Sequence, residues 1–216
     1  MLKREIIPAI LCQTAATAKR RIAIVEPLVD MVQIDIMDGT LVPETCWHDP
    51  SDVASWNFDV RYELHLMISD PIAELERWSR VRRVHRALIH AETPKKLSHL
   101  ITAAHAHVKE VGLVISPGTP IKKILPYLDR IDSVQVMGGI PGKSGQPLDL
   151  STIETVKAIR KRAPNMPIGF DIGVSAKTIP MLAKAGVTRF GSTKAIFSTP
   201  NPISALNKLQ DLVKSK

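Results

Sequence analysis

Carboxylates, an imidazole and thioethers stand at the ends of short apolar runs in this chain, where a packed core would have no use for them. In the stretch MVQIDIMDG (31–39), side chains two apart on a strand point the same way. Gln33, Asp35 and Met37 therefore share one face, and Val32, Ile34 and Ile36 share the other. A carboxylate flanked by two isoleucines is costly to bury unless it is paired or bound to a metal. The pattern recurs: His65 and Met67 end one apolar run, His90 and Glu92 another, Met137 a third and Asp171 a fourth. A single histidine on an apolar strand is ordinarily a satisfied core residue, and methionines there are ordinarily core filling. Two acids and a histidine converging on one place are different, because each needs a partner in a low dielectric. One divalent cation serves them all.

The elements that would position these residues are legible from periodicity. Apolar, β-branched runs at 5–12, 30–37, 62–68, 85–91, 110–116, 132–138, 167–173 and 188–192 predict strands. Helical patterns lie between or after them at 14–29, 70–80, 94–107, 120–129, 150–163, 175–185 and 202–214. Asp70-Pro71, Thr93-Pro94, Thr119-Pro120, Ser175 and Asn201-Pro202 supply helix-start chemistry. Gly186 supplies a helix stop before the last strand. Strand–helix alternation means a parallel sheet. Eight such units in 216 residues predict an α/β fold, a compact (β/α)8 TIM barrel formed by one domain over 1–216. The glycine-rich turn of a dinucleotide-binding domain is missing after the first strand. In a barrel of this kind the chemistry sits at the C-terminal ends of the strands, and those ends are where the residues above fall.

Composition narrows the function classes. Hydrophobic content of 44% with 23% charged residues belongs to an ordinary globular protein, and no run approaches the roughly 18 apolar residues of a membrane span. The start MLKREIIPAIL is too short in apolar residues, and too soon broken by Pro8, for a secretion signal, which predicts a cytoplasmic protein. Cys12 and Cys46 then read as reduced thiols. A net charge of +8 and five arginines in RWSRVRRVHR (77–86) raise the question of nucleic acid. Aromatics amount to only 4% and no nucleic-acid-binding signature is present, so the segment reads as a solvated basic helix face. Positive charge equally attracts small anionic substrates.

The order and spacing of IIPAIL, VQIDIMDGTLVPE, ELHLMIS, IHAE, ISPGTP, PGKSGQP, FDIG and AGVTRF…AIF resemble the ribulose-phosphate 3-epimerase family nearly end to end. The resemblance implies inversion at C3 of a ketose phosphate, such as D-ribulose 5-phosphate to D-xylulose 5-phosphate. It implies one divalent metal ion (zinc, iron, manganese or magnesium) held by two histidines and two aspartates. Asp35 and Asp171 would be the proton-transferring pair on opposite faces, and with His65 they would hold the metal. Met37, Met67 and Met137 would line the pocket. A sugar-phosphate partner and a homo-oligomer follow from the same resemblance.

Five departures cluster on that pocket. Gln33 stands where the family has its first metal-binding histidine; an amide oxygen is a harder ligand, better suited to magnesium or manganese than to zinc. Ala9 stands for a serine that contacts substrate. Gly142, Lys143, Ser144 and Gly145 replace a Gly-Phe-Gly-Gly phosphate loop, Ile172 replaces the first glycine of Asp-Gly-Gly and leaves Gly173, and Thr193-Lys194 replaces Gly-Ser. Glycines let backbone N–H groups approach a phosphate closely. Lys143 and Lys194 bring cations to the same place, so side-chain charge can substitute for backbone donors; a shifted alignment assigns the role to Gly191-Ser192 instead. Two functional readings stand: an epimerase with an altered metal site, and a diverted barrel that binds an anionic metabolite and has lost part of that site.

Overall fold

A computed structural model describes residues 2–214. The eight strands are β1 (Glu5–Ile10), β2 (Met31–Ile36), β3 (Arg61–Leu66), β4 (Val84–His90), β5 (Glu110–Ile115), β6 (Ser133–Met137), β7 (Ile168–Asp171) and β8 (Arg189–Ser192). Each pairs in parallel with its sequence neighbours, and β8 closes on β1, giving a (β/α)8 barrel. The α-helices are α1 (Ala15–Val25), α2 (Pro50–Ser55), α3 (Pro71–Arg77), α4 (Leu97–Ala104), α5 (Ser151–Arg162), α6 (Ile179–Ala185), α7 (Lys194–Phe197) and α8 (Pro202–Lys214). Among the described residues no helix is long and apolar enough to cross a membrane.

Local chemistry explains most of these boundaries. Asp70 accepts from the Ala73 N–H and Asn201 from the Ser204 N–H, capping α3 and α8 behind the prolines that open them. Gly186 ends α6 with a φ of +115°, a conformation other residues rarely adopt. The helix expected over 120–129 is instead two 3₁₀ turns, Ile121–Lys123 and Leu125–Arg130. Pro126 removes an N–H in the middle of that stretch, a loss that a helix interior does not tolerate, though a first turn does. Thr93 does not cap α4: its hydroxyl donates to the Ser69 carbonyl, and the helix starts four residues later. The short helices α2 and α7 have too few residues to show a period.

The barrel wall sorts side chains by alternation. Val32, Ile34 and Ile36 of β2 face outward into the main apolar core with Leu64, Leu66, Ala87 and Ile89, while Gln33 and Asp35 point inward. At the N-terminal end the inward row is ionic. Arg86 of β4 bonds Glu63 of β3 and donates to Glu110 of β5 at 2.7 Å; Arg189 of β8 reaches Glu5 at 3.2 Å and Glu110 at 3.3 Å. The segment 77–86 is therefore not one solvated helix face. Its helix stops at Arg77, and β4 turns Arg86 inward at 2% exposure, where two glutamates meet it.

This floor makes stability depend on pH. Burial pushes the Glu110 carboxyl up, but Arg86, Arg189 and His85 hold it down at about 2. A carboxyl whose folded pKa lies below the unfolded value of about 4.3 stabilises the fold above that pH and loses the contribution as pH falls. Urea denaturation should therefore show stability falling between about pH 4.3 and pH 2. Glu110→Gln should flatten that part of the curve and cost on the order of 2 kcal/mol at pH 7. An unchanged slope would show that the ionised carboxylate contributes nothing there.

Candidate active site

At the C-terminal mouth, Asp35 of β2 and Asp171 of β7 converge on the side-chain amide of Gln33. Gln33 Nε2 donates to Asp35 Oδ1 at 2.8 Å and to Asp171 Oδ2 at 3.2 Å, and lies 3.4 Å from His65 Nδ1. The register places Asp35 beside His65 across β2 and β3, and Met137 beside Asp171 across β6 and β7. His65 Nδ1 is 3.0 Å from Asp35 Oδ1 and 3.7 Å from Asp171 Oδ2. The side chain of Asp171 is further held by the Ile172 N–H, which donates to its Oδ1 at 2.7 Å.

Behind the carboxylates runs a line of side-chain bonds that includes two residues placed at a strand end by sequence. His65 Nε2 lies 2.9 Å from His90 Nε2, and His90 Nδ1 lies 3.1 Å from Glu92 Oε2. Burial lowers the basicity of His65, but the hydrogen bond and charge of Asp35, with Asp171 and Glu63, raise it overall. Burial lowers that of His90. Glu92 is held at about 2: burial raises it, and bonds from His90, Thr119 and the Ser116 N–H outweigh that. His65 therefore donates Nε2–H to a neutral His90, whose other nitrogen donates to Glu92. Burial, then the charge of Asp35, pushes the Asp171 carboxyl up.

The donor set fits a divalent cation. Asp35, His65 and Asp171 offer ligand atoms within 4.8 Å of one another. With the end of the Gln33 side chain they make a four-atom set in which five of the six separations run from 2.8 to 3.7 Å and the sixth, Asp35 to Asp171, lies within 4.8 Å. Metal–ligand bonds of about 2.1 Å at tetrahedral angles require separations of about 3.4 Å. His65 Nδ1 bonds Asp35 here and would exchange that bond for a cation, while Nε2 keeps its outer bond to His90. Gln33 completes the set when its oxygen, rather than its N–H2, faces inward.

Above this centre opens a cavity of about 370 Å³. Asp35, His65, Asp171, Met67 and Met137 line its base. Ala9, Gln33 and Met37 lie behind its surface: Ala9 sits beside Gln33 in the register, and Met37 packs with Val42, Cys46 and Met67. The upper wall carries Gly142, Lys143, Ser144, Gly145, Ile172, Gly173, Thr193 and Lys194, and Gly191-Ser192 line it too. The two lysines part company. A Cβ on Gly145 would lie 2.9 Å from Lys194 Nζ, so that ammonium lies against the loop. Lys143 Nζ instead pairs with Glu44 Oε1 at 3.3 Å, from the loop after β2. Cys12 and Cys46 are free and buried; burial, then the charge of Asp35, pushes the Cys46 thiol up to about 12. The loop tryptophan Trp47 stacks on Trp56, 5.3 Å between ring centres, and donates to Asp52.

Sequence reasoning passed over Gln135 and Glu44. Gln135 of β6 points inward, and its Nε2 donates to Gln33 Oε1 at 3.4 Å. Its signal was available: a polar residue two positions before Met137, on the same alternation that exposes Gln33 two positions before Asp35.

A closed parallel barrel with acids, a histidine and a flanking lysine at its C-terminal mouth defines a (β/α)8 barrel with polar groups at the end where barrels of this class carry their chemistry. The description "Ribulose-phosphate 3 epimerase family" matches residues 5–197, and the chain belongs to that family. Ribulose-phosphate 3-epimerase of Schizosaccharomyces pombe is 26% identical over 99% of this chain and 95% of its own. That of Rhodobacter capsulatus is 30% identical over 89% and 86%. Among solved structures, 3-keto-L-gulonate-6-phosphate decarboxylase from Vibrio cholerae superposes with a TM-score of 0.74 at 9% identity, over 99% of this chain and 98% of that one. This last likeness establishes the fold.

Ile172 carries a φ of +67°, a strained conformation for a β-branched residue. Its side chain packs with Leu88, Val114 and Met137. Ordinarily alanine is more stabilising than glycine by about 0.5–1 kcal/mol. Here the order should reverse, because a left-handed L-residue costs roughly 1–2 kcal/mol. Urea denaturation should find Ile172→Gly more stable than Ile172→Ala by about 1 kcal/mol; the ordinary order would mean the strain is absent.

Proposed function

We propose that this protein is a carbohydrate-phosphate epimerase that inverts C3 of a ketose phosphate, D-ribulose 5-phosphate and D-xylulose 5-phosphate or a close relative. The observation that carries the reading is the pair of carboxyl groups from opposite sides of the mouth, Asp35 and Asp171, both within 3.2 Å of one amide nitrogen. Inversion needs a proton removed from one face of C3 and another delivered to the opposite face. One group must be ionised and the other protonated at the start. Two carboxyls side by side at the base of the cavity, one of them pushed up by burial and by the charge of the other, supply that arrangement.

The remaining residues have complementary work. A divalent cation held by Asp35, His65, Asp171 and the Gln33 oxygen would acidify the C3 proton and steady negative charge on the substrate's C2 and C3 oxygens. His65, braced by His90, holds Asp35 in place without the cation and would ligate the cation through the same nitrogen. Met67 and Met137 give the reacting carbon an apolar, polarizable wall that excludes water. The phosphate lies at the far end against Lys194, Gly145, Gly173 and the backbone at Thr193, with side-chain charge taking over from backbone donors. Ribulose-phosphate 3-epimerase relatives of similar length support the substrate class, and a cytoplasmic setting agrees with it. A homo-oligomer is the assembly expected of such relatives.

Incubation with ribulose 5-phosphate in deuterated water should place deuterium at C3, read by NMR. Asp35→Asn and Asp171→Asn should each slow the exchange by about 10²–10⁴-fold. No exchange with any divalent metal would reject this substrate and favour a barrel that only binds an anionic metabolite. Lys194→Ala should raise KM about tenfold and leave kcat nearly unchanged, as loss of a contact equal in ground and transition states requires. A fall in kcat alone would move Lys194 from phosphate binding to the chemistry.

A further inference from the structure

Gln33 is fully buried and Gln135 is 5% exposed, and they meet inside the barrel from β2 and β6, strands that do not touch. Each end of a buried amide must find a partner. One end of Gln33 faces Asp35, His65 and Asp171, and the other accepts from Gln135 Nε2. An amide has a donor end and an acceptor end of nearly equal shape. A half-turn of Gln33 alone would bring its N–H2 against the N–H2 of Gln135. A half-turn of both restores the bond with donor and acceptor exchanged, and now presents the Gln33 oxygen to the carboxylates and His65.

We infer that Gln33 and Gln135 are a coupled pair that turns together: N–H2 faces the carboxylates in the metal-free protein, and the Gln33 oxygen faces a bound cation. Gln135 is the positioning residue. It can donate to Gln33 in the first state and accept from it in the second, which no apolar side chain at that position could do. In the metal-free state the N–H2 takes the cation's place as the positive partner between two acids, so the site holds together in either condition. This inference rests on reading the mouth as a metal site.

The test is zinc titration of the whole protein, followed by calorimetry and by the side-chain amide NMR signals of Gln33 and Gln135, assigned from Gln33→His and Gln135→Leu. In the wild type both pairs of signals should move with one midpoint. Gln135→Leu should bind zinc about tenfold more weakly, because the loaded state then buries two N–H donors against an apolar wall. The metal-free state loses only an acceptor bond. A merely structural role for Gln135 would lower the melting temperature without moving the zinc affinity. Zinc binding that leaves the Gln135 signals unmoved, or a Gln135→Leu affinity equal to wild type, would overturn the inference. So would a wild type that takes neither zinc nor, in a parallel titration, magnesium while Gln33→His takes zinc, since the amide would then never turn. If neither protein takes zinc or magnesium, the metal reading itself fails. Should Gln135→Leu not fold, the wild-type signals alone decide.

Discussion

Two carboxyl groups aimed at one another inside a protein repel, and each has also lost water. The arrangement of this barrel mouth follows from the need to relieve that repulsion. Asp35 and Asp171 come from opposite sides of the mouth, and the space between them holds the N–H2 of Gln33 and a ring nitrogen of His65. The upward push on Asp171 has the direction that like charges in a low dielectric require. His65 is lifted by the same acids, and His90 and Glu92 behind it fix which of its nitrogens faces them. A cation, a proton or an amide hydrogen can each meet the demand, and the chemistry open to the site depends on which one does.

One alternation rule serves two purposes at the two ends of the barrel. At the floor, inward positions carry Glu5, Glu63, Arg86, Glu110 and Arg189, acids and bases interleaved across neighbouring strands. Three acids share two arginines there, with Glu63 Oε1 and Arg189 Nη1 left without partners among the described residues, and what results is an ionic plug. At the mouth the inward strand positions carry acids, amides and histidines, with no arginine or lysine among the described residues there. The imbalance leaves acceptors that water, a cation or a substrate must satisfy. Stability at one face and reactivity at the other is the division expected of this architecture, and here it comes down to where two arginines were placed.

Much of this was legible in the chain. The eight strands, the inward face of Gln33 and Asp35, and the convergence of His65 and Asp171 all follow from a period of two and an alternating order. Other features depend on register, which alternation does not supply. Arg86 looked like part of a basic surface because four other arginines precede it; it is buried because β4 begins at Val84 and sets Arg86 beside Glu63 and Glu110. Alternation turns Gln135 inward, but only the closed barrel brings it to Gln33, 102 positions away. Lys143 and Lys194 read as equivalent cations, but Glu44, from a loop with no period of its own, takes only one of them. Periodicity tells which way a side chain points and says nothing of what it meets.

Ile172 shows what the altered pocket keeps. A β-branched residue at φ +67° is strained, so something must hold the backbone there. Its side chain packs against Leu88, Val114 and Met137, and that apolar contact offsets part of the strain, while its N–H donates to Asp171 Oδ1 at 2.7 Å. The side chain meanwhile occupies cavity wall that a glycine would leave open to a ligand's approach. With backbone approach reduced, anion binding in the proposed epimerase would fall to Lys194, a point charge on a long stem that fixes a phosphate less tightly than a ring of N–H groups does. The acids keep their places beside a strained backbone, and in the proposed epimerase the altered loops would loosen the grip on the far end of the ligand.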